Sequence, residues 1–119
     1  MNEIYRQGDM IIFKLNDNEV SEAEVKKTAK KIVVGLGEST GHSHDIIPVD
    51  DSVLTIHVND DVVTDDDVAE MDKLMFEIKG MGVILHEEHG PTVFESGKYM
   101  RVNQITYNPF TKQLEKVQD

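Results

Sequence analysis

The chain has 119 residues, with 12 basic and 23 acidic side chains, no Cys, and a formal net charge of −11. This length predicts a single domain over residues 1–119. Without cysteine there can be no disulfide or thiolate metal site, and the acidity argues against nucleic acid as a partner. No apolar run approaches the roughly 20 residues of a membrane span, and residues 1–10 lack the apolar stretch of a signal peptide. The sequence therefore predicts a cytoplasmic protein without a membrane partner.

The balance of apolar residues favours strands over helices. The chain contains 14 Val and 10 Ile but only 6 Leu and 3 Ala. Branched side chains lose rotamer freedom in helices and pack well on a pleated sheet. We therefore predict a mainly β fold: a small single-domain barrel or sandwich with at most one or two short helices.

Apolar runs separated by short turns predict six or seven strands. The predicted strands, in chain order, are residues 10–15, 31–36, 42–47, 53–58, 74–79, 82–86 and 98–107. Gly80 and Met81 predict a tight hairpin turn, and Glu95-Ser96-Gly97 predicts another turn. Ser21 and Glu24 have the spacing of a capping box, which predicts a short surface helix before the second strand.

Residues 59–72 form an acidic segment that contains seven carboxylates and no Lys or Arg. Such a block is typical of a solvated loop or helix face, and it lacks the ligand spacing of a calcium-binding EF-hand. Thr64 and Asp67 have capping spacing and are followed by Val68 and Met71. We therefore predict an acidic loop or short helix within the β domain.

Four of the five histidines fall in two short segments, GHSH at 41–44 and HEEHGP at 86–91. On a strand, His42 and His44 would project from the same face, about 6–7 Å apart along the chain. Two imidazoles in this arrangement can bind a divalent ion, and a third ligand would complete a site with an open position. Both segments lie beside glycine at strand ends, which favours one shared site over two unrelated polar turns.

The second segment leaves its ligands open. His86 and His89 are three residues apart, so they point to opposite faces of a regular strand but converge if the chain bends before Pro91. We expect metal ligands from His42, His44, His86 and His89, with Glu88 as a further ligand or a general base. The fifth histidine, His57, lies within the predicted strand 53–58, where a half-exposed residue without a functional role is expected.

Three stretches of the sequence carry a resemblance to known proteins. They are RQGDMIIF at 6–13, GLGESTGHSH at 35–44 and ILHEEHGPTVFESGKYMRVNQITYNP at 84–109. Together they resemble a family of small bacterial and phage proteins of unassigned function. The ligand types are also similar to those of cupins, small β-barrels that bind a metal through an H-x-H pair, a Glu and a further His. In cupins the Glu follows the pair closely, whereas here only Asp45, Asp50 and Asp51 do.

These observations lead to two hypotheses. The first is a small metal-binding β domain whose divalent ion is zinc, iron, nickel or manganese. An open coordination position would allow hydrolase, isomerase or oxygenase chemistry, and the sequence does not decide whether the protein is an enzyme. The second is a non-catalytic interaction module of a phage or mobile element, with structural or metal-free His segments. The expected partner is an unknown small molecule or protein, and a homodimer is left open.

Overall fold

A computed structural model describes residues 2–36, 43–62, 64–85, 90–103, 105–108 and 113–116. These ranges contain one helix, α1 (Asp65–Glu70). The first six strands are β1 (Asn2–Gln7), β2 (Met10–Lys14), β3 (Val25–Ala29), β4 (Ile32–Leu36), β5 (Ser43–Pro48) and β6 (Val53–Val58). The others are β7 (Lys73–Ile84), β8 (Thr92–Asn103), β9 (Ile105–Asn108) and β10 (Gln113–Lys116). No helix in the described part of the chain is long and apolar enough to span a membrane.

Strands β1 to β8 form one antiparallel sheet that branches at β7. Along one side the order is β1-β2-β8-β7. On its other edge, β7 pairs with β6 through residues 75–79 and with β5 through residues 82–84. Strand β3 continues the β6 branch, and β4 continues the β5 branch. Strands β9 and β10 pair in a separate two-stranded sheet.

Gly80 lies at the branch point of β7, where the register with β8 shifts between Ile78 and Met81. Its φ of 105° is a conformation that L side chains rarely adopt. Two serine side chains, Ser96 on β8 and Ser52 just before β6, hold this irregularity. The hydroxyl of Ser96 accepts from the N–H of Gly80 and donates to its carbonyl, each over 2.8 Å. The hydroxyl of Ser52 accepts from the N–H of Met81 over 2.8 Å.

The hydrophobic core lies on one face of this sheet, which we call the inner face. It includes Ile12, Ile46, Leu54 and Phe76, and the ring of Phe76 stacks on Tyr99 at 5.3 Å. Helix α1 packs against β4 and buries Val68 and Ala69. The alternation of strand residues therefore places Ile11, His57, Met75 and Met100 on the opposite, outer face.

The sequence predicted the fold class correctly but not how the strands are arranged. The protein is mainly β with one described helix, as predicted. However, the described strands form a branched sheet that does not close into a barrel. The predicted strand 53–58 matches β6 at both ends. Thr64 caps α1 as predicted: its hydroxyl accepts from the N–H of Asp67, and the Asp67 carboxylate accepts from the N–H of Thr64.

Three local predictions were wrong. The helix predicted from Ser21 and Glu24 is absent, because the backbone of 25–29 pairs with β6 as strand β3 and so buries part of Val25 and Ala29. The hairpin predicted at Gly80 and Met81 is a bulge inside the continuous strand β7. The turn predicted at residues 95–97 lies within β8, where Glu95 pairs with Met81 and Gly97 with Ile78.

Candidate functional site

His44 is the one predicted metal ligand that the structure describes. His42, His86, Glu88 and His89 lie outside the described residues. His44 is half-buried on β5 and pairs with Gly35 of β4. A Cβ at Gly35 would lie 3.7 Å from Cδ2 of His44, an ordinary van der Waals distance, so the imidazole lies directly beside this glycine. His44 lies two residues before the fully buried Ile46, so both side chains are on the inner face.

The strand register places the attachment points of both histidine segments at the same end of the sheet. Ile46 of β5 pairs with Ile84 of β7, and Ile84 also pairs with Thr92 of β8. Strands β5 and β8 therefore begin at the same end of the sheet at which β7 ends. Residues 41–44 lead into β5, and residues 85–91 connect β7 to β8. The convergence of the two segments stays a prediction, because residues 42 and 86–89 lie outside the described residues.

The described His, Asp and Glu side chains alone do not form a metal site. Among them, no group of three or more His, Asp or Glu side chains converges to hold an ion. Asp45, which follows His44, lies with Oδ2 3.6 Å from Nζ of Lys31. Any metal ion at this end of the sheet would therefore need ligands from residues 42 and 86–89 in addition to His44.

His57 was predicted to be half-exposed, which is wrong, because its side chain is only 4% exposed and has a specific partner. Its Nε2 donates to Oε2 of Glu77, on the neighbouring strand β7, over 2.7 Å. This hydrogen bond is the main cause that lowers the pKa of the Glu77 carboxyl below its ordinary value of 4.5. The charges of His57, Lys26 and Lys98 act in the same direction, while partial burial opposes them.

His57 belongs to a row of three side chains that crosses the outer face. It pairs with Met75 of β7, and Met75 pairs with Met100 of β8. Directly opposed residues point to the same side of a sheet, with Cβ atoms about 5 Å apart. None of the three belongs to the inner-face core, while their chain neighbours Ile56, Leu74 and Tyr99 do.

Residues 16–24, which we call the strap, cross the outer face above this row. The ammonium of Lys98 donates to the carbonyls of Asp17 and Glu19 over 2.7 and 3.0 Å, and the N–H of Glu24 donates to the Asn59 side chain over 3.2 Å. A cleft of about 530 Å³ lies between the strap and the sheet. It is lined by His57, Met71, Met75, Met100, Lys73, Asn59 and strap residues 19–23.

A second, smaller cleft of about 380 Å³ lies beyond the Glu77 carboxylate. Glu77, Thr55 and Lys98 line it together with Asp17 of the strap. The hydrogen-bonded His57 and Glu77 therefore separate two clefts, with the imidazole on one side and the carboxylate on the other. This arrangement fixes the imidazole, because Glu77 holds one ring nitrogen while the ring itself lines the larger cleft.

The family model for the domain of unknown function DUF8820 matches residues 6–104. The chain belongs to the DUF8820 family. The matched range contains β2 to β8 and both histidine segments, which confirms the resemblance to a family of unassigned function. Searches of curated proteins and of solved structures found no significant match to this DUF8820 chain.

The sequence of the DUF8820 domain carried one signal for the larger cleft. In VLTIHV, Leu54, Ile56 and Val58 alternate with Thr55 and His57, which places His57 on the face away from the core. Alternation alone predicts a solvated histidine on that face. The pairing of Met75 with Met100 and the strap above them depend on long-range contacts that a local pattern does not contain.

Proposed function

We propose that this protein is a metal-binding β domain whose ion lies at the end of the sheet where β5 begins and β7 ends. Its ligands are His44, His42 and one or both of His86 and His89, with Glu88 as a further ligand or a general base. The domain provides a rigid antiparallel frame, and the two histidine segments attach to it side by side.

The observation that carries this proposal is the pairing of Ile46 with Ile84. It brings together the strand ends next to two segments that are 42 and more residues apart in sequence numbering, at 41–44 and 86–91. The inner-face position of His44 adds support, because Met10 and Ile46 on the same face are buried. Apolar neighbours of a metal site control the access of solvent to it.

The ligand types define the chemistry of the site but not the metal. Neutral imidazoles bind zinc at about 2.0–2.1 Å and also bind iron or nickel, and with a carboxylate they suit manganese. Three protein ligands would leave a position for water or substrate. A metal-bound water becomes acidic enough to react near neutral pH, and Glu88, next to His89, is the proposed acceptor of its proton.

Elemental analysis of untagged protein and thermal melting test this function together. The wild type is expected to purify with a metal and to melt higher with zinc or nickel than with chelator. Binding to the folded state alone adds about 2.7 kcal/mol at an ion concentration 100 times the dissociation constant. The gain should disappear below about pH 6, because protonated histidine does not bind metal.

Two variants make the test specific. The double variant His42→Ala with His44→Ala should lose the metal-dependent shift in melting temperature. His57→Asn should keep that shift while its melting temperature without metal falls, because the side chain is buried and hydrogen-bonded to Glu77. An equal metal-dependent shift in the wild type and in the 42/44 double variant would exclude this site.

A further inference from the structure

The larger cleft on the outer face combines one imidazole and three thioethers. His57, Met71, Met75 and Met100 all line it, and the strap covers it from above. We propose that this cleft is a second metal site, which binds a soft monovalent ion, Cu(I), through His57, Met75 and Met100. This site is separate from the His42 and His44 site and does not depend on the proposed function.

The donor atoms select the class of ion. Thioether sulfur is a soft ligand that favours Cu(I), and imidazole also suits copper, whereas zinc, magnesium and calcium prefer other donor sets. The three side chains belong to directly paired residues on adjacent strands, so no change of the fold is needed to bring them to one ion. Glu19 and Glu22 of the strap line the cleft opposite a single Lys73, so its carboxylates outnumber its ammonium groups, which favours a cation.

The hydrogen bond to Glu77 prepares His57 for this role. An ionised carboxylate only accepts hydrogen bonds, so Nε2 of His57 carries a proton, and in the neutral imidazole Nδ1 is the nitrogen that offers a lone pair. No described residue hydrogen-bonds to Nδ1. A histidine that binds metal through one ring nitrogen commonly donates from the other to a carboxylate, and Glu77 provides that contact.

The burial of two of the three side chains also favours an ion over a solvated surface, while Met100 is half-buried. His57 is 4% exposed and Met75 is 7% exposed, although both lie on the face away from the core. The strap limits the access of water and oxidants to the two sulfur atoms. Met71, at the end of α1, also lines this cleft and provides a third thioether that could bind the ion in place of Met75 or Met100.

Competition with a chromogenic Cu(I) chelator under anaerobic, reducing conditions tests the site. The reference protein carries His42→Ala and His44→Ala, so that the first proposed site cannot supply the ligands. It is expected to bind one Cu(I) per chain. X-ray absorption spectra at the copper edge should show sulfur atoms bound to the copper. Adding Met75→Leu and Met100→Leu should abolish tight binding, while the matched control Met81→Leu, which lies outside the cleft, should leave it unchanged.

Glu77→Gln tests the supporting hydrogen bond and should weaken Cu(I) binding by roughly 10–100-fold. Undiminished binding by the Met75/Met100 double variant, or a copper edge without sulfur neighbours, would overturn the proposal. So would a reference protein that takes no copper from the chelator. None of these copper outcomes bears on the change in melting temperature that zinc or nickel causes in the wild type. The two proposals can therefore fail independently.

If the leucine variants do not fold, nuclear magnetic resonance spectra of the methionine methyl groups in the wild type test the site instead. The chain has six methionines, and ¹³C-methyl labelling reports on each. Adding Ag(I), a redox-inert substitute for Cu(I), should shift the methyl signals of Met75 and Met100. Met81, exposed on β7 and outside the cleft, should not move. Unchanged methyl signals of Met75 and Met100 would contradict the proposed site.

Discussion

The guanidinium of Arg101, on β8, donates to the carbonyls of Val68 and Ala69 over 2.7 and 2.9 Å. These carbonyls belong to the last turn of α1, which contains no basic residue of its own. A cation at this end of a helix interacts favourably with the helix dipole. Arg101, a strand residue, therefore stabilises the C-terminal end of α1. Burial lowers the pKa of Arg101 to about 10, and the charge of Asp72 opposes this shift.

Replacing Arg101 should destabilise the protein strongly. Arg101→Met keeps the apolar stem but removes both donors, so the free energy of unfolding should fall by about 2–4 kcal/mol, measured by urea denaturation. Arg6→Met is the matched control. Arg6 forms a partly exposed ion pair with Glu3 at 2.7 Å, and its loss should cost less than about 1 kcal/mol. Equal losses in the two variants would mean that Arg101 does not anchor the helix.

The start of α1 makes a second prediction that separates residues within the acidic segment. Thr64→Ala should reduce the free energy of unfolding by about 1 kcal/mol, because the N–H of Asp67 loses its acceptor. Asp60→Asn and Asp61→Asn, which precede the helix, should be neutral or stabilising because they reduce repulsion. Added monovalent salt should stabilise the wild type for the same reason. A larger loss in the Asp60 or Asp61 variants than in Thr64→Ala would contradict this interpretation.

Features of the fold that depend only on residues close together in the sequence were predictable. The alternating run of β6 and the Thr64–Asp67 cap each lie within six residues of chain, and both were predicted correctly. Strand β3 was not, because VKKTA has no apolar alternation and becomes a strand only by pairing with β6. The continuity of β7 also depends on partners, since a glycine at a bulge and a glycine in a turn look alike in sequence.

The same distinction applies to the candidate sites. His42, His44, His86 and His89 were selected because each segment holds two histidines within four residues. That the two segments meet is the proposal made above from the pairing of Ile46 with Ile84. The row of His57, Met75 and Met100 draws single residues from three strands. No local motif connects them, and their common position results from the strand register alone.

The branch point of β7 should tolerate no side chain. Gly80→Ala would adopt an unfavourable φ and bring its Cβ against Oγ of Ser52, which accepts from Met81. We expect a loss of at least about 3 kcal/mol in the free energy of unfolding. Gly8→Ala is the control: its φ is also positive, at 58°, but no atom lies within 4 Å of the added Cβ. It should cost about 1–2 kcal/mol. Equal losses of unfolding free energy in Gly80→Ala and Gly8→Ala would show that the branch point accepts a side chain as well as an ordinary turn does.

The hydrogen bond between His57 and Glu77 should make stability depend on pH in the acid range. The folded protein lowers the pKa of Glu77 below its ordinary value of 4.5, so the ionised carboxylate stabilises the fold above that pH. This stabilisation is lost as the pH falls through the lowered pKa and Glu77 takes up a proton. Melting temperatures measured between pH 6 and pH 2 should therefore fall more steeply for the wild type than for Glu77→Gln.

Glu95→Gln is the matched control for this acid dependence. Glu95 lies on β8, its side chain is 82% exposed, and it lies 3.9 Å from Lys14. Because solvent screens this pair, its removal should leave the steepness of the wild-type profile unchanged. His57→Asn should instead resemble Glu77→Gln, since either change removes the imidazole–carboxylate hydrogen bond. If all three variants kept the wild-type profile, the acid dependence would come from other carboxylates, and Glu77 would not be held ionised by His57.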